Sequence, residues 1–345
     1  MARFGPALVQ AAPPLAVHSA APCVSVVIPT YRRPELLGRC LAAVMGQRLS
    51  PHAFEVIVVD DGHDEDTRRL VESIARNLQP VPVLRYLRPA SGRGPAVARN
   101  AGWRAAHAPL IAFTDDDTVP SADWLAAGER AMKDATGVVA MCGRVTVPVS
   151  GEPTDHALMT QGLEQAEFVT ANAFVRRWAL LKVGGFDERF TRAWREDSDL
   201  QFRLMAEAGP VGRCEHAIVE HPVRPVPWGI SLQQQRNSFF EPLLYKKHPR
   251  LYRERIRPRP PWNYYAIVAS ASAFPLLLAG GHALTAAGAL LLALLLVLQL
   301  AWRRLRRTSR SRAHVLEMLA TSALIPFASV YWRLRGALHF RVPYL

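Results

Sequence analysis

The sequence has few cysteines, and Cys23, Cys40, Cys142 and Cys214 are scattered with no close pair. That excludes a cysteine zinc knuckle, a Cys-x-x-Cys redox motif and a disulfide-stapled scaffold, and it fits reduced thiols in a cytosolic domain. Acidic residues are scarce in one region only. From Lys246 to Leu345 there are 16 Lys and Arg against just Glu254 and Glu317, whereas residues 1–245 carry 26 basic and 27 acidic groups. The formal net charge of +13 therefore belongs to the tail. Its basic groups flank apolar runs instead of interleaving with aromatics, which argues for an anionic membrane surface and against a nucleic acid partner. Charge of either sign is missing altogether between Tyr264 and Trp302. A segment of that length accommodates two spans of roughly 20 residues, divided in "AGGHALT" near Gly280–Thr285. Residues 1–22 lack the apolar core of a signal peptide: they are rich in Pro and Ala, with Arg3 the one basic group, and read as a disordered extension. The sequence shows no internal repeat.

The organisation expected is an N-terminal extension (1–22), an α/β domain (23–245), a basic linker (246–262), a transmembrane helical hairpin (263–302), and a basic loop with an interfacial or re-entrant helix (303–345). Arginines crowd both outer ends of the hairpin, in "RLYRERIRPRP" and "RRLRRTSRSR". Positive flanks stay cytosolic, so the domain is expected on the cytosolic face of the inner membrane. The last apolar stretch, Val315–Trp332, contains Glu317 and Pro326 and is followed by Arg333, Arg335 and Arg341. Spanning would put those arginines on the opposite side, hence the interfacial reading.

Within the domain, "VSVVIP" and "FEVIVVDD" are near-continuous β-branched runs, the mark of strands buried on both faces; "VLRYL", "LIAF" and "GVVAM" are weaker members of the same set. Helical patterns alternate with them, the first opened by Pro34. The fold class is α/β, with a mostly parallel, Rossmann-like sheet that binds ligands outside the carboxyl ends of its strands. Three strands deliver polar groups to that edge: Pro29, Thr30, Tyr31 and Arg32; Asp60 and Asp61; and Asp115, Asp116 and Asp117. In an extended segment Asp115 and Asp117 point one way and Asp116 the other. Two converging carboxylates repel unless a cation lies between them, and an oxygen-rich site suits Mg²⁺ or Mn²⁺ completed by water and phosphate oxygens. The turn "SGRGPAVARNAG" places Gly92 and Gly94 before a helix in the manner of a dinucleotide-binding turn, but Val97 occupies the third glycine position. The glycines are better suited to letting the backbone pass close to a nucleotide.

The ordered set "VVIPTYRR", "VIVVDDG", "GRGPAVARNAG", "FTDDD", "NAFVRRWALLKVGGFDE" and "REDSDLQFRL", from Val24 to Pro222, resembles glycosyltransferase family 2, the inverting sugar transferases of GT-A fold. The resemblance implies transfer from a nucleoside-diphosphate sugar, a UDP-sugar first, to a lipid-linked or glycan acceptor near the membrane. It implies that Pro29, Thr30 and Asp61 lie against the base, Arg99 near the base or phosphates and Asp115 near the ribose, and that Asp117 holds the metal. Tyr31, Arg32, Gly92 and Asp116 join the donor site. Asp197, with Glu196, is cast as general base. The family usually has Gly before this Glu, where Arg195 stands here. His221 is a candidate third metal ligand. "QQQRN" places Gln233 and Arg236 where processive synthases carry Gln-x-x-Arg-Trp, and Arg236 is expected to meet the diphosphate; Asn237 replaces the Trp, which argues against processivity. A processive polysaccharide synthase, a nucleotidyltransferase and a noncatalytic nucleotide-sugar-binding membrane protein stay open as alternatives.

Overall fold

The computed structural model describes residues 21–77 and 82–344; of the expected N-terminal extension, residues 1–20 lie outside the described residues. One sheet organises the domain. Its strands are β1 (Val24–Thr30), β2 (Phe54–Asp60), β3 (Val83–Leu87), β4 (Leu110–Phe113), β5 (Val119–Pro120), β6 (Ala140–Thr146), β7 (Ala173–Arg176) and β8 (Val211–Glu220). They are ordered β3-β2-β1-β4-β7-β6-β8-β5. The first half, β3-β2-β1-β4, is parallel; β7 enters antiparallel between β4 and β6, and β8 runs parallel to β6. β1 and β2 are buried at every position, as their unbroken apolar runs require.

Helices cover both faces. On one face Leu37, Leu41 and Val44 of α1 (Pro34–Met45), Val71 of α2 (Glu65–Asn77) and Trp124 and Leu125 of α4 (Trp124–Asp134) pack on Val26, Ile28 and Val58. On the other, Ala96, Ala98 and Trp103 of α3 (Pro95–Ala105) and Leu200 of α7 (Glu196–Arg203) pack on Val27, Val59 and Phe113. Short helices α5 (Asp155–Gln161) and α6 (Arg177–Val183) lie in the connections between β6 and α7.

After β8 the chain is helical: α8 (Ile230–Gln233), a 3₁₀ stretch (Gln234–Phe240), α9 (Glu241–Lys247), α10 (Pro249–Leu251), a π turn (Tyr252–Ile256), then α11 (Trp262–Ala279), α12 (Ala283–Leu305) and α13 (Arg312–Phe340). α11 and α12 form the expected hairpin, turning at Gly280–His282, and α11, α12 and α13 are each long and apolar enough to cross a membrane. α13 differs from the other two in being far more buried against the rest of the chain. It is one continuous helix, started by the Ser311 side chain accepting from His314 N–H, and it carries Pro326 within it. At Gly336 it approaches the domain so closely that a Cβ would sit 2.3 Å from the Phe239 carbonyl oxygen. Tyr252 and Tyr344 share a third core cluster with Phe190, Phe202, Phe240, Leu243 and Leu244, so the tail packs into the domain well beyond residue 245.

Candidate active site

The Asp triplet sits in the turn that leaves β4. Thr118 donates both its Oγ1–H (2.8 Å) and its N–H (3.3 Å) to the Asp115 carbonyl, and the buried Cys40 Sγ lies 3.4 Å from the same oxygen. This fixes where the three carboxylates point. Asp116 turns back into the protein, accepting from Thr30 Oγ1 at 2.8 Å and pairing with Arg33 at 3.3 Å. Burial, with Asp117 beside it, pushes the Asp116 carboxyl up to about 6. Within the same turn Asp115 and Asp117 each bring a carboxylate oxygen toward His221.

His221 joins them through sheet register. β5 begins just after the triplet and pairs antiparallel with the end of β8, Val119 opposite Glu220, which sets His221 beside Asp117. The ligand atoms of Asp115, Asp117 and His221 all lie within 4.8 Å of one another. His221 Nε2 is 3.6 Å from Asp117 Oδ1, and its buried Nδ1 has no hydrogen-bond partner among the described residues. Two carboxylates and an imidazole, one nitrogen still unengaged, form a donor set that fits a divalent cation. Two arginines also meet Asp117, Arg224 at 3.0 Å and Arg33 at 3.7 Å.

Arg99 connects this cluster to the Glu-Asp pair. Its side chain is 3% exposed, and it donates Nη2–H to Asp115 (2.7 Å) and Nη1–H to Glu196 (3.0 Å). The guanidinium is thus a strut between two elements. Glu196 is buried, and its Oε2 has no partner among the described residues. Burial and the neighbouring Asp197 push its carboxyl above the usual range. Burial raises Asp197 as well, opposed by the Ser198 N–H (2.7 Å) and by Arg195.

The turn that presents this pair is tied down from several sides. Asn100, next to Arg99 on α3, donates to Phe186 O (2.9 Å) and Glu188 (2.8 Å) and accepts from Phe186 N–H (2.8 Å). Gly94, at φ 110°, abuts the same loop; a Cβ there would lie 2.8 Å from the Thr191 carbonyl oxygen. Arg195 adopts φ 75°, the left-handed region where glycine is at home, which explains a glycine at this point and assigns a cost of about 1–2 kcal/mol to any other residue. The arginine is compensated by its side chain. Its guanidinium lies over the Trp194 ring (4.8 Å to the centroid), and its Nε–H donates to buried Glu241 at 2.9 Å. Glu241 also accepts from Trp194 Nε1–H (2.9 Å) and Tyr252 O–H (2.5 Å), and Tyr344 bridges Tyr252 to Arg333 Nη1 of α13 (2.7 Å). Burial opposes a charge on Glu241, yet Arg195, Arg333 and these donors hold it below the usual carboxylate range.

The remaining expected donor residues lie as follows. Asp61 accepts from Gly94 N–H (2.8 Å), while its buried Oδ1 has no partner among the described residues. Pro29 and Thr30 end β1; Tyr31 is 49% exposed, with the Arg32 guanidinium 5.4 Å from its ring centroid. Gly92 has φ 78°. Arg236 lies exposed near Arg192 with no ion-pair partner among the described residues, and Asn237 accepts from Arg192 at 3.2 Å. Sequence reasoning did not single out Arg33, Arg224 or Glu241. Two of them had a local signal, Arg33 in "TYRRP" and Arg224 three residues beyond His221.

A profile of the family "Glycosyl transferase family 2" matches residues 25–194, and one of "Glycosyl transferase family group 2" matches residues 110–332. The chain belongs to glycosyltransferase family 2. Among its relatives, validoxylamine A glucosyltransferase of Streptomyces hygroscopicus subsp. limoneus is 30% identical over 264 residues, covering 66% of this chain and 55% of the relative. Glycosyltransferase AglE of Haloferax volcanii is 28% identical, covering 63% and 72% respectively, and the Escherichia coli chondroitin synthase is 26% identical, covering 67% and 39%. This family 2 chain thus spans little more than half the length of the validoxylamine A glucosyltransferases. The solved mannosyltransferase PcManGT of Pyrobaculum calidifontis, in complex with GDP-Man and Mn²⁺, superposes with a TM-score of 0.57 at 19% identity, covering 91% of this chain and 88% of that one. That likeness confirms the GT-A fold of the family 2 domain.

Proposed function

We propose that the protein is a metal-dependent inverting glycosyltransferase that moves one sugar from a nucleoside-diphosphate sugar, a UDP-sugar first, to a lipid-linked or glycan acceptor at the cytosolic face of the inner membrane. One observation carries the reading: a single buried guanidinium, Arg99, bonds Asp115 of the triplet on one side and Glu196 of the Glu-Asp pair on the other. Donor-holding and proton-accepting groups are thereby set in one rigid frame.

In this reading Pro29, Thr30 and Asp61 meet the base, the backbone at Gly92 passes close to the nucleotide, and Asp115 reaches toward the ribose. Asp115, Asp117 and His221 would hold Mg²⁺ or Mn²⁺, which supplies Lewis-acid stabilisation to the departing diphosphate. Arg33 and Arg224, already against Asp117, add guanidinium donors beside that diphosphate, and Arg236 supplies another. Asp197 takes the acceptor hydroxyl proton as the acceptor oxygen bonds to the anomeric carbon and the bond to the diphosphate breaks, so the configuration inverts. Its raised basicity serves that role, since a carboxylate of higher pKa is the better base. Attachment through the apolar helices keeps the acceptor at the membrane, and Asn237 in place of an aromatic supports single transfers.

The test is release of nucleoside diphosphate from donor sugars by the purified full chain, with chelator and then with added Mg²⁺ or Mn²⁺. Full activity in chelator would remove the metal. Pyrophosphate released from a nucleoside triphosphate would make the protein a nucleotidyltransferase instead, and metal-dependent binding without any release would make it a noncatalytic binder.

A further inference from the structure

A large cavity lies away from the Asp triplet and the Glu-Asp pair. It is a space of about 990 Å³ between the segment leading into α11 and the end of α13. Arg253, Arg257, Arg259 and Arg341 line it, and no Asp or Glu does. None of the four arginines pairs with a carboxylate among the described residues, although Arg250 and Arg255, on the same short stretch, pair with Glu254 and Glu167. Apart from those guanidinium groups and the hydroxyls of Tyr245, which accepts from Arg253 at 2.6 Å, Tyr252 and Tyr344, which bond each other, the lining is mostly apolar, and it opens beside Trp262 and Leu338, which are 60% and 80% exposed at the start of α11 and the end of α13.

We propose that this cavity binds the phosphate headgroup of an anionic bilayer phospholipid, with the acyl chains continuing over Trp262 and Leu338. Guanidinium groups bond phosphate oxygens in pairs, and an unpaired cluster of them has a standing need for an anion. A free phosphate would satisfy the arginines but leave the apolar lining in water. An amphiphile satisfies both, and basic pockets at the ends of apolar helices are placed where headgroups lie. The proposal stands on the charge and shape of this cavity and does not depend on sugar transfer.

The experiment uses the full chain in neutral detergent and counts bound lipid by native mass spectrometry during titration with phosphatidylglycerol, phosphatidylcholine, an isoprenyl phosphate or inorganic phosphate. R257Q/R259Q is compared with R306Q/R307Q, which removes the same charge from exposed positions outside the cavity. All four residues are at the surface or only half-buried, and melting temperatures confirm that both variants are folded. The expected result is selective retention of phosphatidylglycerol, weakened about tenfold or more by R257Q/R259Q, unchanged in R306Q/R307Q and not displaced by millimolar phosphate. Equal affinity for phosphatidylcholine, or an equal loss in both variants, would overturn the site. Complete displacement by inorganic phosphate would reduce it to an anion site, and preference for the isoprenyl phosphate would assign it to a different lipid.

Discussion

Replacing Arg99 by Met keeps the apolar stem and removes the charge that joins the two halves of the site. Breaking a buried ion pair by deleting one partner costs about 3–5 kcal/mol. Most of that falls on Glu196, whose side chain is 4% exposed, because Asp115 at 27% is partly screened by solvent. At roughly 2–4 °C per kcal/mol for a domain of this size, the melting temperature should fall by about 6–20 °C. The pH dependence separates this from a packing defect. Glu196 is raised above its ordinary value of 4.5, so its contribution to stability is fully present below about that pH and is lost as pH rises through the raised value. Without Arg99 the folded-state value rises further. The deficit of R99M against wild type should therefore be small near pH 5 and grow toward pH 8.5. Differential scanning fluorimetry of both proteins across that range is the assay. A deficit that is constant with pH, or below about 2 °C throughout, would refute the strut. R99K should recover little of it, because one ammonium does not reproduce two divergent N–H donors on a planar fork.

Three further changes are informative. Asp197→Asn should lower transfer by about 10² to 10⁴ while leaving nucleoside-diphosphate affinity, measured by calorimetry, within a few-fold of wild type; near-normal transfer by the folded variant would return Asp197 to a structural role. Asp117→Asn should weaken metal-dependent nucleotide binding and turnover together, and an unchanged metal titration would dissociate Asp117 from the cation. Glu241→Gln leaves the half-buried Arg195 without its counter-charge, so stability should fall by about 2–3 kcal/mol and transfer should fall with it; a variant that melts and turns over like wild type would make the Glu241 network incidental.

The parts of the site that lie on strand ends were legible in the sequence, because buried parallel strands announce themselves as β-branched runs and their carboxyl ends are where ligands bind. The directions of the three carboxylates were not legible from strand alternation, because the triplet lies in a turn closed by the Thr118 N–H on the Asp115 carbonyl. His221 was legible only as a family likeness: what brings it to Asp117 is β5, a two-residue strand with no periodicity to detect. Arg99 on α3 gives no local sign that its partners are a turn residue and the start of a distant helix. Glu241 reads locally as an acidic residue in the first turn of α9, and only the tertiary structure shows it gathering Trp194, Arg195 and Tyr252. Arg195 is the opposite case. Its departure from the family's glycine was visible at once, and its physical meaning, a left-handed backbone tethered by its own side chain, required coordinates.

The Tyr344 bridge between Arg333 and Tyr252 has a consequence for the order of synthesis. Domains fold progressively as the chain leaves the ribosome, and all eight strands, both faces of the sheet and the Asp triplet emerge before α11. Arg333 and Tyr344 emerge only after α11 and α12 have been made. The turn that presents Glu196 and Asp197 therefore acquires its last supports after the apolar hairpin is available for insertion. The sheet and the Asp triplet should be able to form before the Glu196–Asp197 turn is fully supported, and that turn should reach its final rigidity only after all three apolar helices have been made.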